Sequence, residues 1–220
     1  MKGCHNLIRP LADSINNNAT GGYDFAIAGN SFDTSSEPGI VWVMEDINGN
    51  GIPDEEWYEL KGSNFYEPSS RQYYSVSYFL PEAYSSVPWL DNAGASGVVD
   101  WVGTYHSQPL YYPLWVNADH YTLYGSLLPS QTVKDPQSAN WINYPFPWGY
   151  ADNLGSDRLE DGAPAQSCIN RFRISDAVYP DGSPVGLSHI NFIKVQSAVN
   201  ANCGWLGEIS TEVQGFQILN

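Results

Sequence analysis

The stretch GIVWVME, residues 39–45, decides the fold class. Its residues are mostly β-branched or aromatic and turn-forming residues precede and follow it, so it predicts a buried central strand. Outward from it, short apolar runs alternate with clusters of glycine, proline, asparagine and serine along the rest of the chain. These runs predict seven further strands, at residues 56–61, 73–80, 97–103, 121–127, 167–174, 189–198 and 208–218.

The composition favours β-structure over helix. Of the 220 residues 14% are aromatic and only 15% are charged, with 20 glycines and 15 prolines. Eight strands with long aromatic loops predict an all-β fold, a two-sheet, jelly-roll-like sandwich over residues 22–220. Residues 1–21 are predicted to form an N-terminal arm or loop, because residues 11–24 are polar and rich in turn formers. One short helical turn is expected near residues 175–178.

The charge of the chain limits its partners. Twenty-four acidic and nine basic residues give a formal net charge of −15. Nucleic acid is therefore not expected as a partner, because phosphates need cations, and anionic membrane surfaces are disfavoured. No stretch has the length of a transmembrane helix, so membrane insertion is not expected. The charge favours a secreted, extracellular or cell-surface protein and leaves carboxylates for divalent cations.

Three cysteines leave two alternatives open. Cys4, Cys168 and Cys203 form no closely spaced pair of the kind that binds zinc. Cys168 and Cys203 could form one disulfide, or all three thiols could be reduced and mostly buried.

The sharpest motif is DINGNGIPDEE, residues 46–56. It matches the first nine positions of an EF-hand-type calcium loop, in which oxygens at positions 1, 3 and 5 converge on one ion and a glycine at position 6 allows the sharp turn. The carbonyl at position 7 and the acid at position 9 complete the pattern. The motif predicts a structural Ca²⁺ site with the ligands Asp46, Asn48, Asn50, Ile52 (through its carbonyl), Asp54 and Glu56.

One position of this motif departs from the pattern. Position 12 is Trp57 instead of the bidentate glutamate of a helical EF-hand. Glu55 or Glu56, or an acid from a distant part of the chain, would have to close the coordination shell. The alternative is an asparagine- and glycine-rich hairpin loop with exposed acids. A second acidic stretch at residues 152–161 could hold another ion or supply a remote ligand, but a solvated loop is the favoured interpretation.

Aromatic residues crowd the middle of the chain and lie partly in proline-rich loops. Exposed rings of this kind stack on sugar rings or flat ligands, while neighbouring amides and acids bind hydroxyl groups. The alternative for each ring is a place in the core of the sandwich. The candidate ligand-binding rings are Trp115, Trp141, Trp148, Tyr112 and Tyr150.

Catalytic residues are not expected. Glu208 and Glu212 would share one face of a strand, but residues i and i+4 of a strand lie about 13 Å apart, too far for a retaining glycosidase. Glu45 and Asp46 adjoin a strand end without a partner of known role. No nucleophile elbow, zinc-protease motif or phosphate loop is present.

Several motifs together resemble a family of bacterial cell-surface proteins of the Bacteroidetes type, often described as PKD-domain-containing. The resemblance runs from about residue 22 onward and implies an exported surface domain with a jelly-roll-like sandwich, but little chemistry. No attached repeat domain is seen here, which leaves the anchoring open. The motifs that carry the resemblance are GIVWV (39–43), the 46–54 loop, WYELKGS (57–63), YPLW (112–115), WGYADN (148–153), FRISDAV (172–178), IKVQSAVN (193–200) and GWLGEISTEV (204–213).

Taken together, these features predict a calcium-stabilised, non-catalytic surface module that binds an extracellular glycan or another small ligand. A structural or adhesive protein that self-associates or meets other surface proteins is the first alternative. A glycoside hydrolase or lyase on a β-sandwich is the second.

Overall fold

The computed structural model describes residues 6–18, 20–105, 107–159, 168–203 and 208–219. These residues form fourteen strands and one short 3₁₀ turn, Ile174–Asp176, which confirms the predicted all-β class. The strands are β1 Asn6–Asn16, β2 Phe25–Ala28, β3 Gly39–Met44, β4 Tyr58–Leu60, β5 Arg71–Phe79, β6 Val87–Asp91, β7 Ser96–Val99, β8 His120–Leu127, β9 Thr132–Lys134, β10 Trp141–Asn143, β11 Ile169–Phe172, β12 Ala177–Val178, β13 His189–Ser197 and β14 Gly215–Ile218.

The strands pair in four antiparallel sheets. A five-stranded sheet has the order β1-β13-β3-β4-β12 and a four-stranded sheet the order β7-β6-β5-β8. A three-stranded sheet, β11-β2-β14, and the β9–β10 hairpin complete the set. The predicted central position of the GIVWVM strand is confirmed, because β3 lies in the middle of the five-stranded sheet. The arrangement is consistent with a sandwich and forms no closed barrel within the described residues.

Two apolar clusters cover the two faces of β3. Val41 and Val43 point into the main core, where Phe25 and Ile27 of β2 join the three-stranded sheet to the five-stranded sheet. Ile40 points the opposite way, into a second cluster with Phe146, Tyr150 and Leu128. Because successive side chains of a strand alternate between its faces, a strand buried on both faces needs a continuous apolar run. GIVWVM supplies such a run.

The predicted N-terminal arm is wrong for residues 6–16, which form β1 and pair with β13. The strand was not recognisable because it is an edge strand with little apolar alternation: among residues 8–16 only Ile15 is buried. A register shift between Pro10 and Ile15 further interrupts the pattern.

The predicted strand at residues 208–218 is correct only for Gly215–Ile218. Before that point, the chain directs its backbone N–H groups to side chains instead of a neighbouring strand. The amide of Ser210 donates to Glu37 at 3.3 Å, and the amide of Glu212 donates to Asp152 at 2.9 Å. This segment therefore carries part of a polar cluster that is described below.

Within the described residues, no helix has the length and the apolar character that a membrane span requires.

The cysteines of the described residues are free thiols, so the predicted alternative of a Cys168–Cys203 disulfide does not hold here. Cys168 is buried and its Sγ donates to the carbonyl of Asn153 at 3.0 Å, while the Cys203 sulfur lies 3.8 Å from the amide of Asn143. Cys4 lies outside the described residues.

We therefore expect a reducing agent to leave the melting temperature unchanged to within about 1 °C, because the two cysteines of the described residues, Cys168 and Cys203, form no cross-link that reduction would break. Differential scanning calorimetry with and without dithiothreitol tests this. A decrease of several degrees on reduction would show that Cys168 and Cys203 are linked in solution.

Candidate functional site

The predicted calcium loop is curled so that its polar side chains meet. The Asp46 carboxylate accepts hydrogen bonds from the backbone amides of Asn50, at 3.1 Å, and Gly51, at 2.8 Å. From the opposite side, the Asp54 carboxylate faces the side-chain amides of Asn48, at 3.5 Å, and Asn50, at 3.2 Å. Four of the six predicted ligands are thus brought together in one exposed loop.

The acid that closes the loop is Glu55 and not the predicted Glu56. Glu56 is exposed, and its carboxylate accepts a hydrogen bond from the hydroxyl of Tyr58 at 3.0 Å, outside the loop. Glu55 accepts a hydrogen bond from the backbone amide of Asn48 at 3.2 Å through Oε1. Its Oε2 is buried and has no hydrogen-bond partner among the described residues. Glu55 is therefore the better placed ligand.

The donor set of the loop fits calcium, with one local adjustment. Carboxylates, amides and a carbonyl are the oxygen ligands that Ca²⁺ prefers. In the described geometry the Oδ1 atoms of Asn48 and Asn50 accept backbone hydrogen bonds, and the Ile52 carbonyl accepts one from Asp54 at 2.9 Å. Both amide groups turn their nitrogens toward Asp54, so an ion between them would require the oxygens to rotate inward.

The predicted ligand-binding rings do not form one surface. Tyr112 and Tyr150 are core residues, 4% and 1% exposed, so the prediction that they stack on a ligand is wrong. Their rings pack against neighbouring rings instead, so each fills space inside the sandwich. Trp115 is exposed, Trp141 contacts Lys134, and Trp148 lines a cavity discussed below.

A cavity lined by aromatic rings lies elsewhere in the fold. It has a volume of about 380 Å³ and opens between the five-stranded and the four-stranded sheet. Its exposed or half-buried rings come from strands β3, β5 and β8, from the residue before β4 and from the residue after β12, and two of them are 66% exposed. We call this cavity the aromatic groove; its lining includes two buried rings, Phe65 and Tyr74, and its exposed or half-buried rings are Trp42, Trp57, Tyr73, Tyr124 and Tyr179.

The floor of the aromatic groove is a row of side chains across three strands. Lys194 of β13 lies opposite Trp42 of β3, and Trp42 lies opposite Glu59 of β4. The Lys194 ammonium lies 4.5 Å from the ring centre of Trp42 and 4.7 Å from that of Trp57. Cation–π attraction to two rings holds both indoles in place, which pre-forms the apolar walls of the groove.

Burial shifts the pKa values of both charged groups of this row. Loss of solvent raises the pKa of Glu59 to about 7, although hydrogen bonds from Ser126 and the charge of Lys194 oppose the shift. Loss of solvent lowers the pKa of Lys194 to about 8, and the Glu59 charge opposes it. The groove thus contains one carboxyl whose proton is exchanged near neutral pH.

Two further features of the groove are a buried polar atom and a glycine at its edge. The indole Nε1 of Trp42 is buried and has no hydrogen-bond partner among the described residues. Gly125 has φ +148°, and a Cβ there would lie 2.6 Å from Ile40 Cδ1 and 2.7 Å from the Trp42 ring. The glycine therefore lets β8 approach β3 closely enough to form the groove.

Sequence reasoning missed this groove because its rings come from six separate segments. Trp42 and Trp57 belong to runs that predict strands, and neither is among the candidate ligand-binding rings. Trp57 and Glu59 are two positions apart, so a strand would place both side chains on the same face. This spacing is the one local signal of the groove in the sequence. The register that sets Trp42 beside Glu59 cannot be derived from a single sequence.

A second polar cluster joins three acids that are distant in the sequence. One carboxylate oxygen from each of Glu37, Asp152 and Glu212 lies within 4.8 Å of the others. Asp152 is fully buried and accepts backbone hydrogen bonds from Asn30 at 2.8 Å, Ser31 at 2.7 Å and Glu212 at 2.9 Å. We call these three acids the carboxylate cluster.

Protons are held tightly in the carboxylate cluster. Burial, with the charge of Glu212 as the next cause, raises the pKa of Glu37 to about 8. Burial also raises the pKa of Asp152 to about 6, while its backbone hydrogen bonds oppose the shift. The cluster accordingly has a site for a proton or a cation at neutral pH.

Glu208 and Glu212 do not share a strand face as predicted, because the strand in this region is Gly215–Ile218. Glu208 is buried and its carboxylate accepts a hydrogen bond from the hydroxyl of Tyr111, whereas Glu212 belongs to the carboxylate cluster. The two glutamates therefore do not serve one site.

Comparisons with known proteins assign no family to the chain. No protein-family model matches it, and no curated protein matches it. Its function is therefore inferred from its own residues.

Proposed function

We propose that this chain is a non-catalytic, exported binding module that holds a glycan in the aromatic groove, with Ca²⁺ bound in the 46–54 loop. The observation that carries the proposal is the groove itself, in which seven aromatic rings and one buried carboxyl line the same cavity, and in which the buried indole N–H of Trp42 has no hydrogen-bond partner in the described part of the chain. The resemblance to bacterial surface proteins and the net charge of −15 support the extracellular location.

A pyranose matches this groove in both shape and polarity. The C–H face of a sugar packs on exposed tyrosine and tryptophan rings, here Tyr73 and Tyr124. Gln72 and Asn92 also line the groove; each amide nitrogen already donates to a backbone carbonyl and keeps a second N–H for a ligand hydroxyl. At the floor, Glu59 accepts or donates a hydrogen bond according to its protonation.

Binding is favoured over hydrolysis by the number of carboxyls. Glu59 is the single acid among the described residues that line the groove. Glycoside hydrolysis generally requires two carboxyls about 5 to 9.5 Å apart on either side of the scissile bond. A groove with one acid can orient a sugar but lacks a nucleophile or a base for water.

The test is a titration of the intact chain with a panel of neutral oligosaccharides, in which the change in tryptophan fluorescence measures binding. Trp57→Ala should weaken binding about ten- to a hundredfold, because one stacking wall is lost. Trp57→Phe should restore most of the affinity. Trp115→Ala is the matched control, since this exposed tryptophan lies outside the groove. Equal loss in Trp57→Ala and Trp115→Ala, or no binding of any glycan, would contradict the proposal.

A second candidate function is self-association through the loop between β7 and β8. Leu114 and Trp115 in this loop are 79% and 61% exposed, an uncommon display of two large apolar side chains side by side. Sedimentation velocity over a wide concentration range tests it, with Leu114→Ser as the variant that should abolish assembly. A monomer at all concentrations would exclude this function.

A further inference from the structure

A second cavity gathers positive charge in a strongly acidic chain. It has a volume of about 210 Å³, and Lys61, Arg171 and Arg173 line it together with Tyr23 and Trp148. These three bases are a third of the nine in the sequence, whereas 24 acids are spread over the chain. Such a concentration makes the cavity a local exception to the negative surface.

The two guanidinium groups are held in place by the ring of Tyr23. The guanidinium carbon of Arg171 lies 4.4 Å from the ring centre, and that of Arg173 lies 4.1 Å from it. Arg171 also donates from Nε to the carbonyl of Asp157 at 2.9 Å, and Arg173 donates from Nε to the carbonyl of Gly21 at 3.0 Å. A second N–H of Arg171, on Nη2, donates to a neighbouring backbone carbonyl at 3.3 Å. These contacts fix both side chains and leave the remaining Nη N–H groups of each guanidinium for a ligand.

The positive charge of the cavity is only partly balanced. Within the part of the chain that the structure describes, Lys61, Arg171 and Arg173 form no ion pair within 4.0 Å. Two acids, Asp157 and Asp176, line the same cavity and leave one net positive charge. A monoanion fits this balance, whereas a dianion such as phosphate would also face the two carboxylates.

The two acids of the cavity, Asp157 and Asp176, also differ in whether their carboxylate oxygens already accept hydrogen bonds. Both carboxylate oxygens of Asp157 are occupied, by the backbone amide of Gly149 at 2.8 Å and the side-chain amide of Asn170 at 3.1 Å. The Asp176 side chain accepts no hydrogen bond within the described ranges, so it can accept one from a ligand hydroxyl. A ligand that combines one carboxylate with hydroxyl groups would satisfy the forks and Asp176 together.

We propose that this cavity is a binding site for a uronic acid residue, free or within an acidic polysaccharide. Its carboxylate pairs with the guanidinium forks of Arg171 and Arg173, its ring packs on Trp148, and a hydroxyl donates to Asp176. Trp148, which was predicted as a ligand-binding ring, is 36% exposed and forms one wall of the cavity. The site is separate from the aromatic groove and does not depend on it.

The experiment is isothermal titration of the intact chain with methyl glucuronoside and methyl galacturonoside. Their carboxyl methyl esters serve as neutral ligands and inorganic phosphate as a second anion. Arg173→Gln should weaken uronate binding about ten- to a hundredfold, because it removes a charged bidentate donor. Arg173→Lys keeps the charge and should restore binding in part. Lys134→Gln removes one exposed charge elsewhere and should have no effect.

The outcomes separate this proposal from the one for the groove. Uronate binding that is lost in Arg173→Gln and retained in Trp57→Ala supports the uronate site, whatever the groove binds. Equal affinity for uronate and its ester, phosphate binding as tight as uronate, or no uronate binding at millimolar concentration would each overturn it. Thermal melts of every variant identify those in which the fold itself is damaged.

Discussion

Calcium at about a hundred times its dissociation constant is expected to raise the melting temperature by about 5–10 °C over that in excess chelator. Such an excess stabilises a folded chain by about 2.7 kcal/mol, and for a chain of this size each kcal/mol corresponds to about 2–4 °C. The physical source is the 46–54 loop, where Asp46, Asp54 and Glu55 carry three negative charges close together. Without a cation their repulsion opposes the curled loop.

Variants identify the ligands. Asp46→Ala should remove the response to calcium, and Glu55→Gln should reduce it strongly. Glu56→Gln is the matched control, because the structure directs Glu56 to Tyr58 and away from the loop. A full response in Asp46→Ala would place the ion elsewhere, with the carboxylate cluster as the next candidate. No response in the unmodified chain would leave an asparagine- and glycine-rich hairpin stabilised by its own hydrogen bonds.

The sequence predicts best those parts of the fold in which local pattern and tertiary environment agree. β3, β5, β8 and β13 have long apolar or alternating runs and lie near their predicted positions. β1 and β9 are edge strands with few buried side chains, so their patterns carry little signal. The segment at residues 208–214 has strand-like residues, but its amides pair with acids from other loops.

The candidate sites also differ in how far the sequence alone predicts them. The 46–54 loop is recognisable as a candidate calcium site because its polar residues lie close together in the sequence. Which of Glu55 and Glu56 faces the loop depends on where the next strand begins, which the motif does not encode. The aromatic groove, the uronate site and the carboxylate cluster each join residues more than 80 positions apart. Sheet register brings them together, and register is a property of the whole sandwich.

The carboxylate cluster should make the free energy of unfolding decrease as pH rises. An acid whose pKa is lowered by folding has the opposite effect. The pKa of Glu37 is raised from 4.5 to about 8, so the folded chain holds a proton that the unfolded chain has released. This contribution to stability is complete below pH 4.5 and is lost as pH rises through 8. Glu37→Gln removes the titrating proton and keeps an oxygen that can accept the hydrogen bond from Ser210.

We therefore expect Glu37→Gln to be more stable than the unmodified chain by about 2–4 kcal/mol at pH 9, and to differ little from it at pH 4.5. Urea denaturation in excess chelator at several pH values measures the difference, since a bound cation would neutralise the same carboxylates. Glu82→Gln, at an exposed acid, is the matched control and should change stability little at either pH. If Glu37→Gln is no more stable at pH 9, Glu37 is already ionised without cost, and the three acids do not share a proton.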